Sequence, residues 1–202
     1  RQGNLWYRIE VLGKSGHAGR AYRESVNAAH DLCIKLLELQ KIPGKSSTPT
    51  VNLGSLQAGE GKYNVVCGRA EALVDIRVAD YPQLARVEKS VARVLKKPGL
   101  RSPDRKHQTT TRFQCVDRCP PLPFQAQQKP WIATYLHILK DLEGGRPKAS
   151  KSHGSSDCNY LGPKPIVIDG LGPRGSGLHT FEETIDMTSL ETRAEAAARY
   201  LE

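Results

Sequence analysis

Ala70-Glu71-Ala72-Leu73-Val74-Asp75-Ile76-Arg77-Val78 decides the fold. Ala72, Val74, Ile76 and Val78 alternate with Asp75 and Arg77, so one face of a strand is apolar and the other carries charge. With Asn64-Val65-Val66 ahead of it, the strand is expected to run from about residue 64 to 78. Pro82 then opens an amphipathic helix whose stripe is Leu84, Val87, Val91, Val94 and Leu95. Pro98 to Pro103 breaks it, and Thr109 to Val116 reads as a strand. Upstream, Leu5 to Val11 alternates as a strand and a Gly-rich turn spans Gly13 to Gly19. Val26, Ala29, Cys33, Leu36, Leu37 and Gln40 then recur at helical spacing up to Pro43-Gly44. A further strand is expected around Thr50 to Leu56, with a turn at Ala58 to Gly61. The order is β-α-β-β-α-β, a ferredoxin-like arrangement of about 118 residues, within an α+β chain.

Beyond Cys119-Pro120-Pro121-Leu122-Pro123 the pattern changes. Trp131, Tyr135, Ile138, Leu139 and Leu142 mark a helix ended by Gly144-Gly145. A polar loop, Lys148 to Ser156, leads to a helical turn near Asp157. Pro165 to Ile168 reads as a short buried strand, Gly170 to His179 as a loop, and a last helix starts near Ser189. One strand has no sheet to join, so residues 119–202 read as part of a domain that needs a partner, and residues 1–118 as a whole one.

The 202 residues are 25% charged and 38% hydrophobic, enough for a sizeable core. The net charge of +9 suggests nucleic acid until its distribution is read. Residues 1–118 hold 21 Lys and Arg against 11 Asp and Glu, while residues 119–202 hold 9 against 10. Aromatic residues are 6%, and the central strands carry Val, Asp, Arg and Ala where an RNA-binding sheet stacks bases, so no nucleic-acid partner is expected. No apolar run approaches the ~18 residues of a membrane span. Five scattered cysteines disfavour a disulfide scaffold and suit reduced thiols in a cytoplasmic protein. Arg1-Gln2-Gly3 leads straight into a strand with no initiator Met, which reads as a fragment.

Several motifs fail on inspection. Gly44-Lys45-Ser46 and Gly13-Lys14-Ser15 lack the earlier Gly of a phosphate loop, having Leu39 and Arg8 there. No Gly-x-Ser-x-Gly occurs, and Cys115 and Cys119 have no second pair to complete a zinc site. Three clusters remain. Ser15-Gly16-His17-Ala18-Gly19 places a histidine on a Gly-flanked loop. Asn64 is followed thirteen residues later by Arg77, whose planar fork suits a carboxylate, although read alone these residues favour an ordinary surface pairing of Arg77 with Asp75. Gly175-Ser176-Gly177-Leu178-His179-Thr180 sets a second histidine on a glycine-rich loop, suited to metal ligation or base catalysis.

As an ordered set these stretches resemble the zinc-dependent exopeptidases and amidohydrolases that include carboxypeptidase G, acetylornithine deacetylase, succinyl-diaminopimelate desuccinylase and aminoacylase. Ser15 to Gly19 with Val26-Asn27-Ala28-Ala29, Thr50-Val51-Asn52, Asn64-Val65-Val66 and Ala70 to Arg77 are similar to that family's lid, or dimerisation, domain. Gly154-Ser155-Ser156-Asp157 and Gly170 to Asp186 are similar to the end of its catalytic domain.

The resemblance implies two zinc ions in a full-length parent, a Glu base, and hydrolysis of an amide next to a free carboxylate in a small peptide or N-acyl amino acid. It implies a homodimer formed through the lid. His17 matches the lid histidine that reaches the partner subunit's site and stabilises the oxyanion, and His179 a zinc ligand. Asn64 and Arg77 match substrate-gripping residues, Ser155 and Ser156 line the pocket, and Arg118 is a further carboxylate contact. Ser155 stands where the family usually has glycine.

The family's His-x-Asp pair, bridging Asp and Glu-Glu pair precede the lid, and no His-x-Asp occurs in this chain. Glu182-Glu183 follows His179 and matches a later segment. These residues alone are therefore expected to hold no zinc stably and to be inactive. A non-catalytic dimerisation or regulatory module derived from the family is the alternative.

Overall fold

In the computed structural model, residues 1–44, 48–162 and 166–202 are described. Strand β1 (Gly3–Leu12), helix α1 (Ala28–Leu39), strands β2 (Thr50–Ala58) and β3 (Arg69–Val78), helix α2 (Tyr81–Leu95) and strand β4 (Thr110–Cys119) follow in that order. The four strands form one antiparallel sheet, ordered β2-β3-β1-β4. Leu5, Ile9 and Val11 of β1 and Ala72, Val74, Ile76 and Val78 of β3 are buried on one face. Leu32, Leu36 and Leu39 of α1 and Leu84, Val87, Val91, Val94 and Leu95 of α2 join them in a single core.

Local chemistry sets the helix starts. The Asn27 side chain accepts from the amides of Ala29 and His30. Asp80 accepts from Gln83 N at 2.7 Å, while Gln83 Oε1 accepts from Ala79 N at 2.8 Å.

Two readings of this part change. The strand expected from residue 64 begins at Arg69, because residues 64–68 leave the sheet and pair with the loop around His17. The buried stripe of α1 is Ala28, Asp31, Leu32, Lys35, Leu36 and Leu39, so Cys33 and Leu37, expected inside, face outward. The stripe is rotated because it contains an ion pair that hydrophobicity alone does not register. Lys35 Nζ donates to Asp31 Oδ1 at 3.0 Å and to the Lys97 carbonyl at 3.3 Å, and Thr109 Oγ1 donates to Asp31 Oδ2 at 2.6 Å. Both charged side chains are almost fully buried.

The chain divides into two compact units, Arg1–Leu122 with Gly154–Tyr160, and Pro123–His153 with Leu161–Glu202. In the second, helices α3 (Lys129–Glu143) and α4 (Met187–Leu201) pack through Tyr135, Leu139 and Ala196. Tyr135 and Tyr200 meet edge to face with ring centroids 5.6 Å apart. Glu143 bonds Arg193 Nε at 2.8 Å and Thr192 Oγ1 at 3.1 Å. Ile166 to Ile168, expected as a strand, is not one: Ile166 is exposed, and the Val167 carbonyl accepts from Gln128 Nε2 at 2.9 Å. Pro165, with Lys45 and Ser46, lies outside the described residues. The loop expected from Gly170 contains half of a small hairpin, β5 (Gly175–Ser176) with β6 (Thr184–Ile185). Trp131, Ile168, Leu171 and Leu201 help line an open apolar hollow of ≈ 370 Å³. No described helix is long and apolar enough to cross a membrane.

Two stability outcomes follow from the buried charges. Asp31→Ala strands Lys35 without its counter-charge and is expected to cost about 3–5 kcal/mol in urea denaturation, whereas D31L/K35M is expected near neutral. The Arg193 hydrogen bond, before all other causes, holds the Glu143 carboxyl below the usual carboxylate range. Its stabilisation is then complete above the unfolded-chain value and is lost as pH falls through the depressed one. Thermal melts from about pH 6 to 3 are expected to show an acid loss that Glu143→Gln makes shallower.

Candidate functional site

Around His17 the backbone is stitched to a second loop. His17 pairs with Val65 as an isolated antiparallel bridge, Ala18 N donates to the Asn64 carbonyl at 2.9 Å, and Val66 N donates to the Gly16 carbonyl at 2.9 Å. His17 and Asn64, both exposed, are thereby brought side by side. Glycine eases the packing within and between these loops: a Cβ at Gly16 would lie 2.2 Å from Ser25 Oγ of its own loop, and one at Gly68 would lie 2.1 Å from Ser15 Oγ across the pair, so that a serine hydroxyl would have to move in each case.

The imidazole is oriented by its own turn. Its Nδ1 accepts from Gly19 N at 3.1 Å and Arg20 N at 3.3 Å. With Nδ1 an acceptor, the neutral ring carries its proton on Nε2, so an N–H faces away from the turn and is available to an oxygen.

Arg77 lies at the far end of β3. Its Nε and Nη2 both donate to Asp75 Oδ2, at 3.0 and 2.7 Å. That contact uses the side of the guanidinium and leaves the Nη1 edge with no protein partner among the described residues. Opposite Arg77 on β1 is buried Asn4, whose amide nitrogen donates to Asp117 Oδ2 at 2.5 Å. Ser155 Oγ donates to Asn4 Oδ1 at 2.7 Å, so Asn4 links Ser155 to the Arg77 end of the sheet. Ser156 N donates to Asn159 Oδ1, and Asn159 Nδ2 in turn donates to the carbonyls of Gln2 and Pro120. Fully buried Asn159 thus anchors the Ser155-Ser156 turn. Sequence reading missed Asn4 and Asn159, and a polar residue in an otherwise apolar strand start was the one available signal for Asn4.

Arg118, expected as a further carboxylate contact, does not share a face of the sheet with Arg77. It is opposite Leu5, on the helix-bearing face, where its Nε donates to Glu88 Oε1 of α2 at 2.7 Å. Arg77 projects from the other face. The bond to Glu88 also holds the Arg118 guanidinium above its ordinary pKa. His179 belongs to the second unit, exposed in the β5–β6 turn with a left-handed backbone (φ 64°). Among the described residues no three His, Cys, Asp or Glu side chains stand close enough to hold a metal ion.

Comparison with known proteins decides the family. Residues 1–103 match the peptidase dimerisation domain of M20 peptidases. The chain belongs to the M20 peptidase family. Over 211 residues it is 22% identical to the succinyl-diaminopimelate desuccinylase of Methylococcus capsulatus, covering 100% of this chain and 52% of that protein. Over 197 residues it is 26% identical to the enzyme of the same name from Stenotrophomonas maltophilia, covering 95% and 49%. A tripeptidase from Staphylococcus aureus shares its fold with a TM-score of 0.71 at 20% identity, over 98% of this chain and 51% of that one. An aminopeptidase from Bacillus cereus gives 0.65 at 21% identity, over 97% and 49%. The chain thus spans about half the length of the relatives it matches.

Two measurements check the His17 turn. Nitrogen-15 NMR of the imidazole is expected to show the Nε2–H tautomer at neutral ring charge, and an Nδ1–H tautomer would contradict the geometry. Gly16→Ala is expected to destabilise by roughly 1–3 kcal/mol through its clash with Ser25, a cost that G16A/S25A partly relieves.

Proposed function

We propose that this chain is the lid and the C-terminal part of the catalytic domain of a cytoplasmic, zinc-dependent hydrolase. Its lid (residues 1–118) is ferredoxin-like and dimerising, and residues 119–202 complete a catalytic domain begun elsewhere in the protein. The bond cleaved is an amide next to a free carboxylate, in a small peptide or N-acyl amino acid. The relatives named desuccinylase and tripeptidase support both substrate types.

One observation carries the reading. His17 and Asn64 cluster beyond the Arg69 end of β3, whereas Arg77 lies eight residues further along the strand. At about 3.4 Å per residue that is roughly 27 Å, too far for one amino-acid-sized substrate to touch both. Two copies related by a two-fold axis resolve this: Arg77 of one protomer holds the substrate carboxylate while His17 and Asn64 of the other meet the scissile carbonyl.

In that arrangement each side chain has a definite task. The Nη1 edge of Arg77 accepts the carboxylate with Asp75 fixing the guanidinium plane, a charge-assisted contact worth about 1.5–3 kcal/mol. Nε2–H of His17 donates to the oxyanion as it develops, and Asn64 flanks it. Ser155 and Ser156, held through Asn4 and Asn159, shape the pocket wall. His179 serves as one zinc ligand, the remaining donors coming from the rest of the protein. When bound, the metal would supply an activated water. Arg118, held by Glu88 on the opposite face, buttresses α2.

The pairing surface is the β2 edge with α1. Leu53 and Leu56 on β2 and Ile34 and Leu37 on α1 are all exposed, and among the described residues no strand pairs with the outer edge of β2. The apolar hollow beside α3 and α4 similarly suits burial against the rest of a catalytic domain.

Mixing tests the two-fold site. In the full-length protein, H17A and R77A are each expected to lose nearly all turnover. Unfolded and refolded together, they are expected to recover about one quarter of the wild-type rate, because half the dimers are mixed and each holds one complete site. No recovery would place His17 and Arg77 in a single site.

A further inference from the structure

The basic surplus of the lid is not spread evenly. Loop 14–24 and loop 101–107 dock on one another: Asp104 N donates to the Arg23 carbonyl at 3.0 Å, and Lys14 Nζ lies 2.8 Å from His107 Nε2. This places Lys14, Arg20, Arg23, Arg101, Arg105 and Lys106 on one surface. Two acids, Asp104 and Glu24, stand among these six cations, leaving the surface a net basic one. Asp104 accepts from Ser102 Oγ at 2.5 Å and Lys106 N at 3.0 Å, so its carboxylate is turned into its own loop. Glu24 reaches Lys14 only at 3.9 Å. Arg20, Arg23, Arg101, Arg105 and Lys106 are exposed and form no ion pair among the described residues. Arg105 holds a left-handed backbone (φ 62°), a conformation ordinarily left to Gly, Asn or Asp.

The patch adjoins His17 directly, since the amide of Arg20 is one of the two donors that orient the imidazole. We propose that this surface binds acidic peptides, recognising several carboxylates beyond the one gripped by Arg77. The clustering of unpaired guanidinium groups next to His17 is complementary to closely spaced carboxylates. A single-stranded nucleic acid would require a succession of aromatic platforms, and these loops offer one exposed aromatic, Tyr22. The link to His17 rests on the hydrolase reading; the binding itself rests on charge and geometry.

Calorimetric titration of the purified chain with tetra-L-glutamate at low salt tests the surface. Saturable binding is expected, weakened about tenfold or more by R20E/R23E and by R101E/R105E. K129E/K140E, which reverses two exposed charges on α3, is expected to change it less than twofold. Equal weakening by K129E/K140E, or no binding to the unaltered chain, overturns the proposal. So does tighter binding of a single-stranded RNA of equal charge, which would identify a nucleic-acid surface instead. If a reversal variant loses its circular dichroism, R20Q/R23Q carries the same test with a smaller expected loss. Binding is read without turnover, so failure here leaves the roles of His17, Asn64 and Arg77 standing, and an inactive full-length protein leaves the patch standing.

Discussion

The antiparallel register of β1 on β3, from Gly3 opposite Val78 to Leu12 opposite Arg69, holds the rest in place. Because successive side chains point to opposite faces, a slip of one residue would put Asp75 and Arg77 into the core and Ile76 and Val78 into water. The same ten pairs set Asn4 opposite Arg77, and so bring the Ser155 turn to that end of the sheet. They also carry β3 out to Arg69, beyond which the chain leaves the sheet to meet the His17 loop. A structural ladder thus sets the spacing of the two candidate clusters.

Strand length then becomes a functional quantity. The length of β3 keeps His17 and Asn64 apart from Arg77, which is why the proposed site is shared between two copies. The sheet contributes to this in a second way. Both helices cover one face, Arg77 emerges on the other, and among the described residues no strand pairs with the outer edge of β2. Arg118 shows how strict the division is, since it lies near the same end of the sheet yet projects to the helix side and is consumed by Glu88.

Charge is divided just as sharply. The open face of the sheet balances its arginines internally, Arg8 with Glu71 and Arg69 with Glu10. The buried Asp31–Lys35 pair is likewise closed, with Thr109 and the Lys97 carbonyl completing its hydrogen bonds. Among the described residues of the lid, two groups of exposed basic side chains form no ion pair: Arg20, Arg23, Arg101, Arg105 and Lys106 on the loops beside His17, and Arg86, Lys89 and Arg93 on α2 with Lys96 at its C-cap. The first group is brought together by the docking of loop 101–107 on loop 14–24, with Asp104 N bonded to the Arg23 carbonyl eighty-one residues earlier.

Alternation along residues 70–78 and the stripe of α2 determined by themselves which strand and helix form and which faces they bury, because strand and helix periods act over a few neighbouring residues. The Gly-flanked His17 loop and the Asp75-x-Arg77 pair were legible for the same reason. Local pattern misplaced the buried stripe of α1, since Asp31 and Lys35 are tolerable inside only as partners of each other and of Thr109, seventy-eight residues away from Asp31. It also extended β3 back to Asn64 and made Ile166 to Ile168 a strand, where only the presence of a neighbouring ladder could decide. Asn4, Asn159 and the face of Arg118 were decided by tertiary structure alone. Hydrogen bonds across the fold give a buried amide its purpose, and register, which no single strand contains, chooses the side on which an arginine emerges.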